Sequence, residues 1–81
     1  MDTFNFGAAL VALKSGEMVA RQGWNAHHTL ALQVPDEHSK MTRPYIYMIV
    51  GTDAADMKGD QLPWVASQTD LLAEDWIQVS H

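Results

Sequence analysis

The chain has 81 residues, ten acidic against five basic, a formal charge of −5, 47% apolar residues and no cysteine. That balance opposes DNA, RNA or an anionic membrane as a partner, and the missing thiols exclude disulfides and thiolate metal sites. No apolar run approaches the roughly 20 residues of a membrane span and no signal-peptide pattern opens the chain, so a soluble, cytoplasmic protein is expected.

Residues 1–81 read as a single domain with no internal repeat. A chain this short buries only roughly 60% of the surface its unfolded form exposes, and small unstapled domains often complete their core by association. A homo-oligomer is therefore expected. Asn5 can cap a first helix whose stripe of Phe6, Ala9, Leu10 and Leu13 ends at Ser15-Gly16. Met18 to Arg21 reads as a short strand, turned at Gly23, and residues 29–34 as a second strand stopped by Pro35. Residues 35–43 are polar and form an exposed loop. Residues 44–50, rich in aromatic and β-branched side chains, predict a third strand. Residues 51–61 read as a mobile connection. Ser67 can cap a short second helix, with Asp70 as the acidic member of a capping box. Asp75 to Val79 closes as a strand, Trp76 and Gln78 on one face and Ile77 and Val79 on the other. The order α-β-β-β-α-β predicts an α+β fold, a small antiparallel sheet with an N-terminal helix and a short C-terminal one.

Two tryptophan-centred segments carry the chemistry. In Arg21-Gln22-Gly23-Trp24-Asn25 an indole sits between a glycine, which permits close backbone approach, and an amide that both donates and accepts. In the second segment, residues 63–76, Trp64 is followed by Ser67, Gln68, Thr69 and Asp70, and Asp75-Trp76 closes it. Flat apolar rings beside polar groups suit a nucleobase or a small ring ligand; packing inside a small core is the plainer use of the same rings. Arg21 offers a planar fork for phosphate, or an ion pair with Glu17 or Asp75. Phe6 can wall a pocket or simply pack. Ser67, Thr69 and Asp70 sit at a helix start that suits an anion, although a capping box explains Ser67 and Asp70 without a ligand. Trp76, inside the last strand, reads as core. His27 and His28 are adjacent and on a strand would point to opposite faces, so they do not chelate one metal. No metal, cofactor or catalytic triad is expected.

Phe6-Gly7-x-Ala9-Leu10, Val19-Ala20-Arg21-x-Gly23-Trp24-Asn25, Pro44-Tyr45-Ile46 and Trp64-Val65-x-Ser67-x-x-Asp70-Leu71-Leu72-Ala73-x-Asp75-Trp76 together resemble the second family of Thoeris anti-defence proteins. The resemblance runs from Phe6 to Val79. It implies a phage or prophage homotetramer that acts as a sponge in the host cytoplasm. Such a protein binds cyclic nucleotide immune signals (glycocyclic ADP-ribose, in some members cyclic oligonucleotides) without cleaving them, so the defence effector stays inactive. It also implies ligand contacts from Phe6, Arg21, Gly23, Trp24, Asn25, Trp64, Ser67, Thr69 and Asp70. After Asn25 this chain departs from the family pattern, carrying Ala26-His27-His28. Two other classes compete: a small phosphodiesterase-like enzyme that degrades such signals, and a phage structural or interaction protein whose tryptophans serve only an interface. The lack of a base–nucleophile pair weighs against the enzyme.

Overall fold

A computed structural model describes residues 2–24, 28–50 and 60–79. The first helix, α1, spans Phe6–Lys14. The Asn5 side chain accepts from the Ala8 N–H at 2.9 Å and starts it. It stops at Gly16, whose φ of 92° lies in the left-handed region. The Gly16 N–H bonds the Leu13 carbonyl and the Glu17 N–H bonds that of Ala12, the paired closure that satisfies the last helical carbonyls. Ala9 and Leu13 are buried, with Phe6 and Leu10 half-buried beside them, so the expected stripe is the face α1 turns inward.

Among the described residues five strands follow: β1 (Met18–Arg21), β2 (Thr29–Gln33), β3 (Tyr45–Val50), β4 (Asp60–Pro63) and β5 (Trp76–Val79), with α2 (Gln68–Leu72) between the last two. All pair antiparallel in the order β4-β3-β2-β1-β5. The α+β class and antiparallel sheet expected from the sequence are present, but the element order is α-β-β-β-β-α-β. The connection expected over residues 51–61 needs correcting, because Asp60 and Gln61 open a fourth strand. Residues 51–59 lie outside the described residues. Strand β4 carries no apolar alternation, all four of its residues are exposed, and it ends in a proline, which a sheet tolerates at an edge.

The sheet has an apolar layer on each side. Ala9 and Leu13 of α1 meet Val19, Leu30 and Trp76 on one face. On the other, Met18, Ala31 and Ile49 cluster with Tyr47 and Val79. Alternation along a strand places neighbours on opposite faces, so Met18 and Val19 serve different layers. The outer edge of β5 is covered in part by Phe4, which exchanges backbone hydrogen bonds with Trp76 at 2.9 and 3.1 Å. Among the described residues no helix is long and apolar enough to cross a membrane.

Candidate functional site

Trp76 is the hub of an aromatic cluster. It is completely buried, and its indole N–H donates to the Asp70 carbonyl at 3.0 Å. Phe6 lies 5.3 Å from it, Trp24 5.4 Å and Trp64 6.2 Å between ring centroids, with both tryptophan contacts edge-to-face. Phe6 and Trp64 also meet each other at 5.9 Å. Edge-to-face packing sets the positive ring edge against a negative face, and such pairs contribute about 0.5–1.5 kcal/mol beyond their burial. Trp76 is therefore the core residue the sequence implies.

On this cluster rests an open trough. Its larger hollow, about 750 Å³, is walled on one side by Phe6, Leu10 and Lys14 of α1 and on another by Trp64, Ala66 and Leu71. Leu32 and Ile46 line it from the sheet. A second hollow of about 500 Å³ shares Pro44, Tyr45, Ile46 and Trp64 with the first and extends to Met41 and Arg43. Both volumes fall within the range of small-molecule sites. Lys14 stands in one hollow and Arg43 in the other, and neither pairs with a described carboxylate. The trough thus offers aromatic and aliphatic walls with a cation in each half, on a chain whose formal charge is −5.

The structure sorts the residues singled out in the sequence. Phe6 and Trp64 come together in the trough. Trp24 is half-buried against the core cluster and is not among the trough's lining residues. Asn25 and His27 lie outside the described residues. Gly23 sits in the turn after β1, where an added Cβ would come 3.7 Å from an Asp75 oxygen. Ser67 and Asp70 complete the capping box: the Asp70 N–H donates to Ser67 Oγ at 3.1 Å and the Ser67 N–H to Asp70 Oδ2 at 3.4 Å. Thr69 is exposed on α2. Sequence reasoning gave Arg43 only as the phosphate partner to try after Arg21, and it missed Lys14, Leu10 and Tyr45. A signal for the first two was present, since Phe6, Leu10 and Lys14 repeat at four-residue spacing and so share one helix face.

Arg21 takes the ion-pair alternative and extends it. Its Nε donates to Asp75 Oδ1 at 2.9 Å and a terminal nitrogen to Asp70 Oδ1 at 3.1 Å. Glu17, the other partner weighed for it, instead accepts from the Gln78 amide at 3.0 Å. The hydrogen bond from Arg21 holds the Asp75 carboxyl below its ordinary value of 3.8, and the Gly23 backbone N–H adds to the effect. The same contacts raise Arg21 further above its already high value, chiefly through Asp75. Because the folded carboxyl is the more acidic, its contribution to stability is complete above the unfolded value and is lost as pH falls through the folded one. Thermal melts of Asp75→Asn should therefore lose less stability than wild type on going from about pH 5 to about pH 3. Equal losses in the two proteins would remove Asp75 from the acid transition.

Among the described residues no three His, Asp or Glu side chains are grouped as metal ligands. His38 is exposed beside Glu37 at 3.5 Å.

The sequence profile of the Thoeris anti-defense 2-like domain matches residues 4–79, which include the trough and the whole aromatic cluster. The chain belongs to the Thoeris anti-defense 2-like family. It is also similar to Thoeris anti-defense 2 of Bacillus phage SP01, with 38% identity over 86 aligned positions covering 94% of each chain. Membership supports an anti-defence role as a phage protein. Within the Thoeris anti-defense 2-like match, both tryptophan-centred segments and both cations of the trough are included.

Proposed function

We propose that the protein is an anti-defence sponge. It binds a cyclic nucleotide immune signal, glycocyclic ADP-ribose first and cyclic oligonucleotides as a further class, and withholds it from the effector without cleaving it. The observation that carries this reading is the trough, in which the rings of Phe6 and Trp64 adjoin Lys14 and, in the adjacent hollow, Arg43. Rings supply stacking surface for a base of any identity, and a cation nearby answers the charge of a phosphate that the acidic chain otherwise repels. Trp24, at the turn after β1, is held as a further contact, and so is Asn25, its neighbour in the sequence.

The working form is a homotetramer in the host cytoplasm. An open trough buries a ligand poorly, and a neighbouring subunit laid across it would raise that burial. Light scattering at micromolar concentration should show the tetramer, and a monomer alone would remove the shared-pocket part of the reading.

The function is tested by mixing purified protein with glycocyclic ADP-ribose, measuring the free ligand, then heating the complex and recovering what was bound. Depletion followed by intact recovery is the expected result. Recovery of a linear or otherwise altered product would make the protein an enzyme. Absence of depletion would leave a structural or interaction protein.

A further inference from the structure

The two tryptophan-centred segments are distant in the chain, yet one side chain joins them. Arg21 belongs to the first, at the end of β1, and both its partners belong to the second. Asp70 is no ordinary surface acid. One of its oxygens takes Arg21, the other caps the Ser67 N–H, and its backbone carbonyl takes the Trp76 indole. The next residue, Leu71, lines the trough. Asp75 is equally committed: its carboxylate takes Arg21 and its backbone carbonyl accepts from the Gln22 N–H at 2.9 Å. The turn that follows is closed by the Trp24 N–H donating to the Arg21 carbonyl at 3.0 Å.

Helix α2 has only five residues and none of them is buried, so neither helix length nor a packed face fixes its position. The capping box sets where it starts, and what ties it to the sheet is the Trp76 indole on the Asp70 carbonyl and the guanidinium that grips the Asp70 carboxylate. An isolated exposed ion pair would be too weak for this. Here one planar fork spans two carboxylates, with the Arg21 and Asp70 side chains only 21% and 16% exposed. Geometry of that kind belongs to arginine, since a lysine ammonium is a point charge without the fork.

We infer that Arg21 is a positioning residue, a brace that sets α2, Trp76 and the Trp24 turn in register and thereby shapes the trough wall without touching the ligand. This rests on reading the trough as the ligand site. The anionic part of the ligand then falls to Lys14 and Arg43.

A double-mutant cycle with Arg21→Gln, Asp75→Ala and the combined variant tests the brace, with Arg21→Lys alongside. Affinity for glycocyclic ADP-ribose is read by calorimetry and the tryptophan environment of the free protein by near-ultraviolet circular dichroism. A brace predicts that Arg21→Gln and Asp75→Ala each weaken binding about ten-fold, that the double variant is no worse than Arg21→Gln alone, and that the near-ultraviolet spectrum changes before any ligand is added. Arg21→Lys should restore only part of the affinity and of the spectrum. If Arg21 instead contacts phosphate, Arg21→Gln weakens binding with an unchanged spectrum while Asp75→Ala binds as well as wild type or better, and the inference is overturned. Should Arg21→Gln not fold, Asp75→Ala and Arg21→Lys decide between the same outcomes. Should wild type bind no glycocyclic ADP-ribose, the sponge reading fails separately and the spectra alone decide. Matching changes in Arg21→Gln and Asp75→Ala uphold the brace, and unchanged spectra overturn it.

Discussion

Trp76→Ala is expected to remove a large share of the protein's folding stability. The side chain is completely buried and three other aromatic rings pack on it, so truncation removes the centre of the larger core cluster. Truncations of buried Phe or Trp typically cost about 3–5 kcal/mol. Natural domains hold only about 0.05–0.15 kcal/mol per residue, which for a chain this long is roughly 4–12 kcal/mol in all. Urea unfolding followed by far-ultraviolet circular dichroism measures the loss. Trp76→Phe keeps a ring but loses the indole N–H bond to the Asp70 carbonyl, which then keeps only the Ala73 N–H at 3.4 Å, so it should fall between wild type and alanine. An alanine variant within about 1 kcal/mol of wild type would contradict the place given to Trp76.

On the proposed sponge function, Trp64→Ala should act in the opposite way, on binding more than on folding. Trp64 is half-buried at the junction of the two hollows, where it lines both. Removing a stacking platform costs about 1–3 kcal/mol per base, so affinity for glycocyclic ADP-ribose should drop between roughly five-fold and a hundred-fold or more. The midpoint of unfolding should move far less than in Trp76→Ala. Calorimetry and a urea titration on the same preparation separate the two effects. If Trp64→Ala binds as wild type does, the trough is not where the ligand sits, and attention passes to Trp24 and the turn after β1.

Some of this architecture could be read from the chain because the forces that build it are local. Asn5, the stripe from Phe6 to Leu13 and Gly16 specify α1 within a dozen residues, and Ser67 with Asp70 specifies the start of α2. Strand β3 declares itself by composition. Strand β4 does not, because an exposed edge strand needs only a neighbour's backbone and imposes no apolar pattern on its own side chains. The trough was half legible. Phe6 and Trp64 stand out as aromatics, but Arg43 and Tyr45 join them only when β3 is laid beside the segment that follows β4. Arg21 shows the same limit: Asp75 could be weighed as its partner, while Asp70 becomes one only once α2 is seated against the sheet.

The sheet order also bears on how the molecule assembles in time. Strand β1 lies between β2, its neighbour in sequence, and β5, which returns from the far end so that Arg21 pairs with Trp76. Closing that long loop is entropically the most demanding step, because nothing is gained until its ends meet. The β2–β3–β4 meander can form beforehand. Docking of β5 is then expected last, and with it the aromatic hub, the two carboxylate contacts of Arg21 and the bonds to Phe4. Contacts made after the folding barrier govern how fast the native state is lost, not how fast it is reached. Lesions at Trp76 or Arg21 should therefore steepen the escape from the folded state and leave the rate of entry nearly unchanged. The lifetime of the folded form is then expected to be set at the seam where the last strand meets the first.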